Sequence, residues 1–191
     1  MKFMTALFVT AVVSAGVFAA ESQNLLSGTW SGKHVWIHTS DKEAQPLRSK
    51  VPAFVKFETA VKDGKTVLST DMSEEMVNVA GKYAASVSAS WFQNVKLPDT
   101  KGGKYKFKFT YTCIPGKTVK NQAFFLAFPK AGNKTGKLFA KSFNPKAENA
   151  VCSYVITVPA GTDSMDLYLR LNAPGKLTLV DPVLVKIADS K

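Results

Sequence analysis

The chain has 191 residues and carries 25 Lys and Arg against 14 Asp and Glu, a formal net charge of +11 at neutral pH. Arg48 and Arg170 are its two arginines and no basic helix is apparent, so we expect no nucleic-acid partner. The charge favours an acidic polysaccharide or an anionic cell envelope as partner, unless the lysines only keep sheet edges from pairing.

Residues 1–20 have the pattern of a secretory signal peptide. Lys2 is followed by a mostly apolar stretch up to Val13, and small residues precede Glu21. The apolar stretch is too short for a retained membrane span, and no second one follows. We therefore expect residues 21–191 to form one secreted domain, extracellular or periplasmic, monomeric and without a transmembrane segment.

Alternation of apolar and polar residues predicts mostly β-strands along the chain. The candidates in chain order are residues 53–60, 66–71, 83–97 with a bulge, 104–113, 122–128, 137–143, 151–159, 165–172 and 176–187. Turn-forming stretches such as residues 62–65 separate them, and only residues 71–83 favour a helical turn. This pattern predicts an all-β protein, a jelly-roll β-sandwich of two antiparallel sheets.

The two cysteines, Cys113 and Cys152, lie on the apolar faces of two of these predicted strands. An even number of cysteines in an exported chain favours a disulfide. Since both side chains are expected to point into the core, we predict that they form one intramolecular bridge.

Three stretches in fixed order carry a resemblance to a known family. They are residues 24–30, residues 91–112 with their Tyr-x-Phe-x-Phe strand, and residues 154–187 with their Val-Pro-Ala-Gly turn. In this order they resemble the family 4/9-type carbohydrate-binding modules, part of the galactose-binding-like β-sandwich group. The resemblance spans residues 24–187 and implies a non-catalytic jelly roll that binds glycans on a concave sheet face or on rim loops.

Members of the family that the chain resembles often carry a structural calcium near the join of the first and last strands. The family's usual Asn-Gly-Asp-Phe start is replaced by residues 27–30, Ser-Gly-Thr-Trp, and its Asp-Asp pair is Asp181-Pro182. Two oxygen ligands of the family pattern are therefore absent, whereas calcium takes six to eight. Asp181 is the one position that the resemblance carries over as a metal ligand.

The strand at residues 165–172 holds the main candidate binding residues. Tyr168, Arg170 and Asn172 alternate with leucines and so share one face. An aromatic ring can stack on a sugar ring, while a guanidinium and a carboxamide can bind hydroxyl or carboxylate groups. The alternative is a plain solvated face on which Asp166 and Arg170 pair diagonally.

Further candidates for the same surface are Trp36, Trp91 and Gln93. Trp91 shares strand parity with Gln93 but also with valines, so a core position is the alternative for Trp91. Trp36 shares parity with His34 and His38, which on a strand lie about 13 Å apart, too far for one metal ion.

These features favour a secreted, non-catalytic protein that binds a polysaccharide or glycan, and the positive charge favours an acidic one. A cell-surface or matrix protein using the same sandwich without a sugar site is the alternative. A small polysaccharide lyase or hydrolase is a third hypothesis, against which the sequence shows no recognisable catalytic constellation.

Overall fold

The structure is a computed structural model that describes residues 23–26, 30, 32–119, 122–143 and 148–187. The predicted signal peptide, residues 1–20, lies outside this part of the chain. Among the described residues, no helix is long and apolar enough to cross a membrane.

Strands dominate the described ranges. They are β1 (Gly32–Ile37), β2 (Val55–Lys62), β3 (Lys65–Met72), β4 (Val87–Lys96), β5 (Gly103–Pro115), β6 (Gln122–Ala131), β7 (Lys134–Thr135), β8 (Phe139–Ser142), β9 (Ala150–Val158), β10 (Ser164–Asn172) and β11 (Gly175–Lys186). The helical segments are short: α1 (Met76–Ala80) and 3₁₀ helices at Lys42–Leu47, Val51–Phe54 and Gly81–Ser86. The predicted helical turn within residues 71–83 is therefore present.

The strands form two antiparallel sheets, as the sequence predicts. Sheet 1 has the order β1–β4–β10–β6–β7, with β8 also paired to β6. Sheet 2 has the order β2–β3–β11–β5–β9. The chain crosses repeatedly between the sheets, and the fold is an all-β sandwich.

The core lies between the two sheets because each contributes an apolar row. On β10 the row consists of Met165, Leu167, Leu169 and Leu171, all fully buried. Facing it from sheet 2, Phe107 of β5 stacks on Phe125 of β6 with ring centroids 4.4 Å apart. Burial of each such side chain stabilises the fold by roughly 1.5–3 kcal/mol.

The turn between β2 and β3 follows directly from its sequence. Asp63 and Gly64 have φ angles of 49° and 73°, and the residues on either side, Lys62 and Lys65, are paired. A two-residue loop with both φ angles positive is the type I′ hairpin, for which Asp-Gly is a preferred pair.

Two predicted strands differ in extent from the observed ones. The predicted strand 83–97 begins only at Val87, because Gly81–Ser86 forms a 3₁₀ helix. Strand β4 has no bulge; the register shift lies in β11, between Val180 and Val183. The predicted strand 137–143 is shorter, since only Phe139–Ser142 pairs with β6.

The predicted disulfide between Cys113 and Cys152 is wrong. Both side chains are buried, as their parity predicts, but no disulfide joins them. The register places Cys152 opposite Phe109, and Cys113 lies four residues farther along the same strand. Four residues span about 13 Å of strand, whereas a disulfide needs Cα atoms within about 7 Å.

Candidate functional site

The outer face of sheet 1, opposite the core, gathers the candidate residues of β10. Because Leu167, Leu169 and Leu171 are fully buried, the alternate residues Tyr168, Arg170 and Asn172 point to the other side. All three are half-buried rather than fully solvated.

The strand register assembles this face from four strands. Tyr168 lies opposite Phe92 of β4 and Leu126 of β6, and Arg170 lies opposite Ser90 and Phe124. Directly opposed residues of antiparallel strands share a face. The outer face of sheet 1 thus comprises His34, Trp36, Ser88, Ser90, Phe92, Asn94, Phe124, Leu126, Phe128, Asp166, Tyr168, Arg170 and Asn172.

A row of rings crosses this face from strand to strand. The ring of His34 on β1 contacts that of Phe92 on β4, with centroids 5.1 Å apart. Phe92 contacts Tyr168 of β10 at 4.9 Å, and Tyr168 contacts Phe128 of β6 at 5.7 Å. Since none of the four is fully buried, the row offers apolar ring surface at the protein exterior.

Arg170 lies beside this row. Its Nε donates a hydrogen bond to Ser90 Oγ at 3.2 Å, and no ion pair with a described carboxylate is formed. The predicted alternative, a diagonal pair of Asp166 with Arg170, is wrong because Asp166 binds other partners. The Asp166 carboxylate accepts a hydrogen bond from Asn94 Nδ2 at 2.6 Å and forms an ion pair with Lys130 Nζ at 2.5 Å. Burial lowers the pKa of the Arg170 guanidinium below its usual value.

A cavity of about 380 Å³ opens next to Arg170 and Asn172. Its other walls include His38, Phe124, Leu126 and Ala140. The Oδ1 atom of Asn172 is buried and has no hydrogen-bond partner among the described residues. A buried acceptor without a donor is costly, so this atom is suited to a hydroxyl or amide of a ligand.

His38 lies on the wall of the cavity, where its Nε2 is 2.8 Å from Ser88 Oγ. Burial, and secondarily the positive charge of Arg170, lower the pKa of His38 below its ordinary value. A neutral imidazole at neutral pH can then donate or accept a hydrogen bond.

Trp36 lies at the edge of the outer face, opposite Ser88 in the pairing of β1 with β4. Its side chain is 51% exposed, and the Arg48 guanidinium stacks over the ring at 4.7 Å. Arg48 is itself held by Gln45 Oε1 at 3.1 Å and the Thr39 carbonyl at 3.2 Å. The ring is therefore oriented while much of its surface stays accessible.

The segment that carries Arg48 is anchored to the rest of the fold by a polar cluster. The hydroxyl of Tyr83 donates to Asp41, whose carboxylate also caps the 3₁₀ helix Lys42–Leu47. Lys82 Nζ pairs with Glu43 at 2.7 Å. These contacts hold the helix beside the rim of the site.

Trp91 and Gln93 do not belong to this site, so that prediction is wrong for both. Trp91 is 0% exposed and its ring packs edge-on against Phe57 of sheet 2 at 5.2 Å. Gln93 is 8% exposed and shares the inward row of β4. They face the core because β4 directs its serines outward, to the face that carries Phe92.

Among the described residues, those around Asp181 do not make up a calcium site. Asp181 is exposed at the irregularity of β11 and borders a depression lined by Lys65 and Lys108, two cations. Residues 27–29, which the family pattern places nearby, lie outside the described part of the chain. Within that part, no three His, Cys, Asp or Glu side chains are grouped as metal ligands. Calcium needs several oxygen ligands, which these residues do not supply.

Sequence reasoning missed the phenylalanines of the ring row. On β6 the run from Ala123 to Phe128 is apolar on both faces, so alternation cannot assign Phe124 or Phe128 to a side. For Phe92 a signal existed, since it shares parity with Ser88, Ser90 and Asn94.

The known proteins most informative for this chain are similar in structure, not in sequence. No protein-family model matches the sequence, and no curated protein matches it. The enzymatically active domain of tailspike protein 4 of bacteriophage CBA120 superposes with a TM-score of 0.56 at 12% identity, over 86% of this chain. The present chain spans 21% of that tailspike chain.

Two carbohydrate-binding modules are similar over most of their length. TmCBM61, solved in complex with β-1,4-galactotriose, has a TM-score of 0.50 and 17% identity, covering 87% of this chain and all (100%) of its own. A family 4 module (CBM4) has a TM-score of 0.45 at 11% identity, covering 85% of this chain and 99% of its own. Likeness at such identities shows the fold alone: the chain has the β-sandwich fold found in carbohydrate-binding modules.

Proposed function

We propose that this protein binds a glycan on the outer face of sheet 1, as a secreted and non-catalytic module of the family 4/9 type. The observation that carries the proposal is the row formed by His34, Phe92, Tyr168 and Phe128 across four strands. Such a strip of exposed ring surface matches the apolar faces of consecutive sugar units, while the neighbouring polar groups suit their hydroxyls.

The polar groups beside the row add directional contacts. Arg170 lines the cavity, and Asn172 offers a buried acceptor without a partner among the described residues. The likeness to TmCBM61, a module solved with a bound galactotriose, supports the same kind of ligand. The net charge of +11 favours an acidic glycan, or an anionic cell envelope that displays one.

A binding role fits the chemistry of the face better than a hydrolytic one. Glycoside hydrolysis ordinarily needs two carboxylates about 5–10 Å apart. Among the residues that define the outer face of sheet 1, Asp166 has the one carboxylate. This group is already bound by an ion pair with Lys130 and a hydrogen bond from Asn94.

A glycan array with matched variants of Tyr168 tests the proposal. Replacing Tyr168 by Ala should weaken binding about fivefold, because a stacked aromatic ring contributes about 1 kcal/mol. Replacing it by Phe keeps the ring and should leave affinity close to that of the native protein.

Thermal melts of both variants show whether the fold is retained. Equal binding by native protein and by the Ala variant would contradict the role of the ring row. Absence of binding to every glycan on the array would instead favour an interaction protein without a sugar site.

A further inference from the structure

Among the described residues, no carboxylate compensates the charge of Arg170. The side chain is half-buried, and its one hydrogen bond to a described residue goes to a neutral hydroxyl, that of Ser90. The carboxylate of Asp166 on the same strand lies four residues away, about 13 Å along β10, and is bound by Lys130. Removing a charged group from water without a partner is unfavourable, and a ligand of opposite charge would remove that penalty.

Asn172 provides a second and independent sign that this place binds a ligand. Its Oδ1 atom is buried and has no donor among the described residues, and it lies two residues beyond Arg170 on the same face. Both residues line the same cavity of about 380 Å³, a volume within the range of small-molecule sites. A ligand here would satisfy a cation and a hydrogen-bond acceptor about 7 Å apart.

The remaining walls of the cavity add no second positive charge to that of Arg170. Phe124, Leu126 and Ala140 are apolar, and His38 is the other titratable group that lines it. Burial, and secondarily the charge of Arg170, lower the pKa of His38, so its imidazole is neutral at neutral pH and adds no second positive charge. The cavity therefore combines one guanidinium with an apolar wall, which suits a sugar ring that bears an anionic substituent.

We propose that Arg170 and Asn172 form a subsite for the acidic substituent of one sugar unit, a uronate carboxylate or a sulfate ester. Arg170 binds the anion through its guanidinium N–H groups, and Asn172 Oδ1 accepts a hydrogen bond from a hydroxyl of the same unit. The subsite rests on the proposed glycan-binding function and specifies which chemical class of glycan the face selects. Its neighbour Tyr168, two residues away, stacks on the adjoining part of the glycan.

A planar guanidinium distinguishes this subsite from attraction to the lysines as a whole. Arg170 presents donors in a fixed fork that matches a carboxylate, whereas a lysine acts as a point charge. The control is Lys106, an exposed lysine on the outer face of sheet 2, where it is paired with Val155 and Val185. Its replacement removes the same charge at a distance from the cavity.

The test compares a polyuronate with the neutral polymer obtained by reducing its carboxyl groups, and with that neutral polymer after sulfation. Affinities are measured by calorimetry at about 0.15 M salt, where attraction between distant surface charges is screened. The native protein should bind the polyuronate at least about tenfold more tightly than the reduced polymer. Arg170→Gln should abolish that preference, Arg170→Lys should retain part of it, and Lys106→Gln should leave it unchanged.

The remaining outcomes distinguish a carboxylate from a sulfate ligand. They also distinguish failure of the acidic subsite from failure of the proposed glycan-binding function. Tight binding of the sulfated polymer would assign sulfate to the subsite, and its absence would assign the carboxylate. Equal affinity of the native protein for the acidic and neutral polymers, or equal losses in Arg170→Gln and Lys106→Gln, would overturn the subsite alone. Tyr168→Ala should weaken binding of all polymers together, and failure of the native protein to bind any of them would overturn both proposals.

Discussion

At the scale of single residues, chemical type alone does not tell which face of the sandwich a side chain occupies. On β4, Trp91 and Gln93 point into the core, whereas Ser88 and Ser90 point outward. Both serines are nevertheless nearly buried, because larger neighbours on the outer face cover them. Their hydroxyls serve as partners for His38 and Arg170 and so help to orient the candidate site.

The contrast between two tryptophans makes this assignment testable. Trp91→Ala should lower the free energy of unfolding by about 3–5 kcal/mol, because it removes a fully buried ring between the sheets. Trp36→Ala should lower it by about 1 kcal/mol or less, since the ring is half exposed and loses mainly its contact with Arg48. Urea denaturation of the two variants measures both values.

Each tryptophan variant serves as the control for the other. Losses of similar size would mean that Trp91 does not lie between the sheets. A large loss for Trp36 alone would reverse the assignment of the two faces.

At the scale of elements, the site depends on the register of β10 with its two neighbours. Strand β10 lies in the middle of sheet 1, so each of its outward residues meets one residue of β4 and one of β6. A shift of one residue in either pairing would turn the opposite face of that strand outward. The fully buried leucines of β10 oppose such a shift because they would have to leave the core.

The hairpin between β2 and β3 allows a prediction about one turn. Gly64 has a φ of +73°, and a Cβ added there would meet no atom within 4 Å. Gly64→Ala should therefore lower the free energy of unfolding by about 1–2 kcal/mol through backbone strain alone. Asp63→Asn is the matched control, because Asn adopts positive φ readily and should leave stability nearly unchanged.

Thermal or urea unfolding of the two hairpin variants gives the comparison directly. Equal stability of Gly64→Ala and the native protein would mean that the type I′ turn is not formed. The same result would remove the support for the pairing of Lys62 with Lys65.

A structural feature can be predicted from the sequence when it depends on neighbouring residues, and not when it depends on how distant strands pair. The turn at Asp63-Gly64 and the alternating strand β10 depend on neighbouring residues, and both were predicted correctly. The distance between Cys113 and Cys152 depends on the register of β5 with β9, which no local pattern reveals. For a related reason the predicted surface position of Trp91 is wrong: its position in the alternating pattern of the strand is compatible with either face.

The candidate site was predictable where polar and apolar residues alternate. This applies to Tyr168, Arg170 and Asn172, which the sequence placed together and the structure shows on one face. It does not apply to β6, where Phe124 and Phe128 alternate with other apolar residues. The ring row arises only when four strands pair, so its composition required the structure.

At the scale of the whole molecule, the two outer faces differ in chemistry. The outer face of sheet 1 carries the ring row and the cavity with Arg170. On sheet 2, Lys104, Lys106 and Lys108 of β5 are exposed and alternate with buried aromatic residues. A lysine-lined face provides long-range attraction to an acidic polymer and opposes edge-to-edge pairing, whereas close recognition requires the shaped surface of sheet 1.

Solution NMR of the isotope-labelled protein tests the central claim most directly, with an oligosaccharide that the array identifies as a ligand. Titration should shift the backbone amides of residues 88–94, 124–128 and 166–172, which form the outer face of sheet 1. The amides of residues 104–110 on sheet 2 should change little, because they lie on the opposite side of the core. Shifts concentrated on sheet 2, with sheet 1 unchanged at saturation, would contradict the assignment of the binding face.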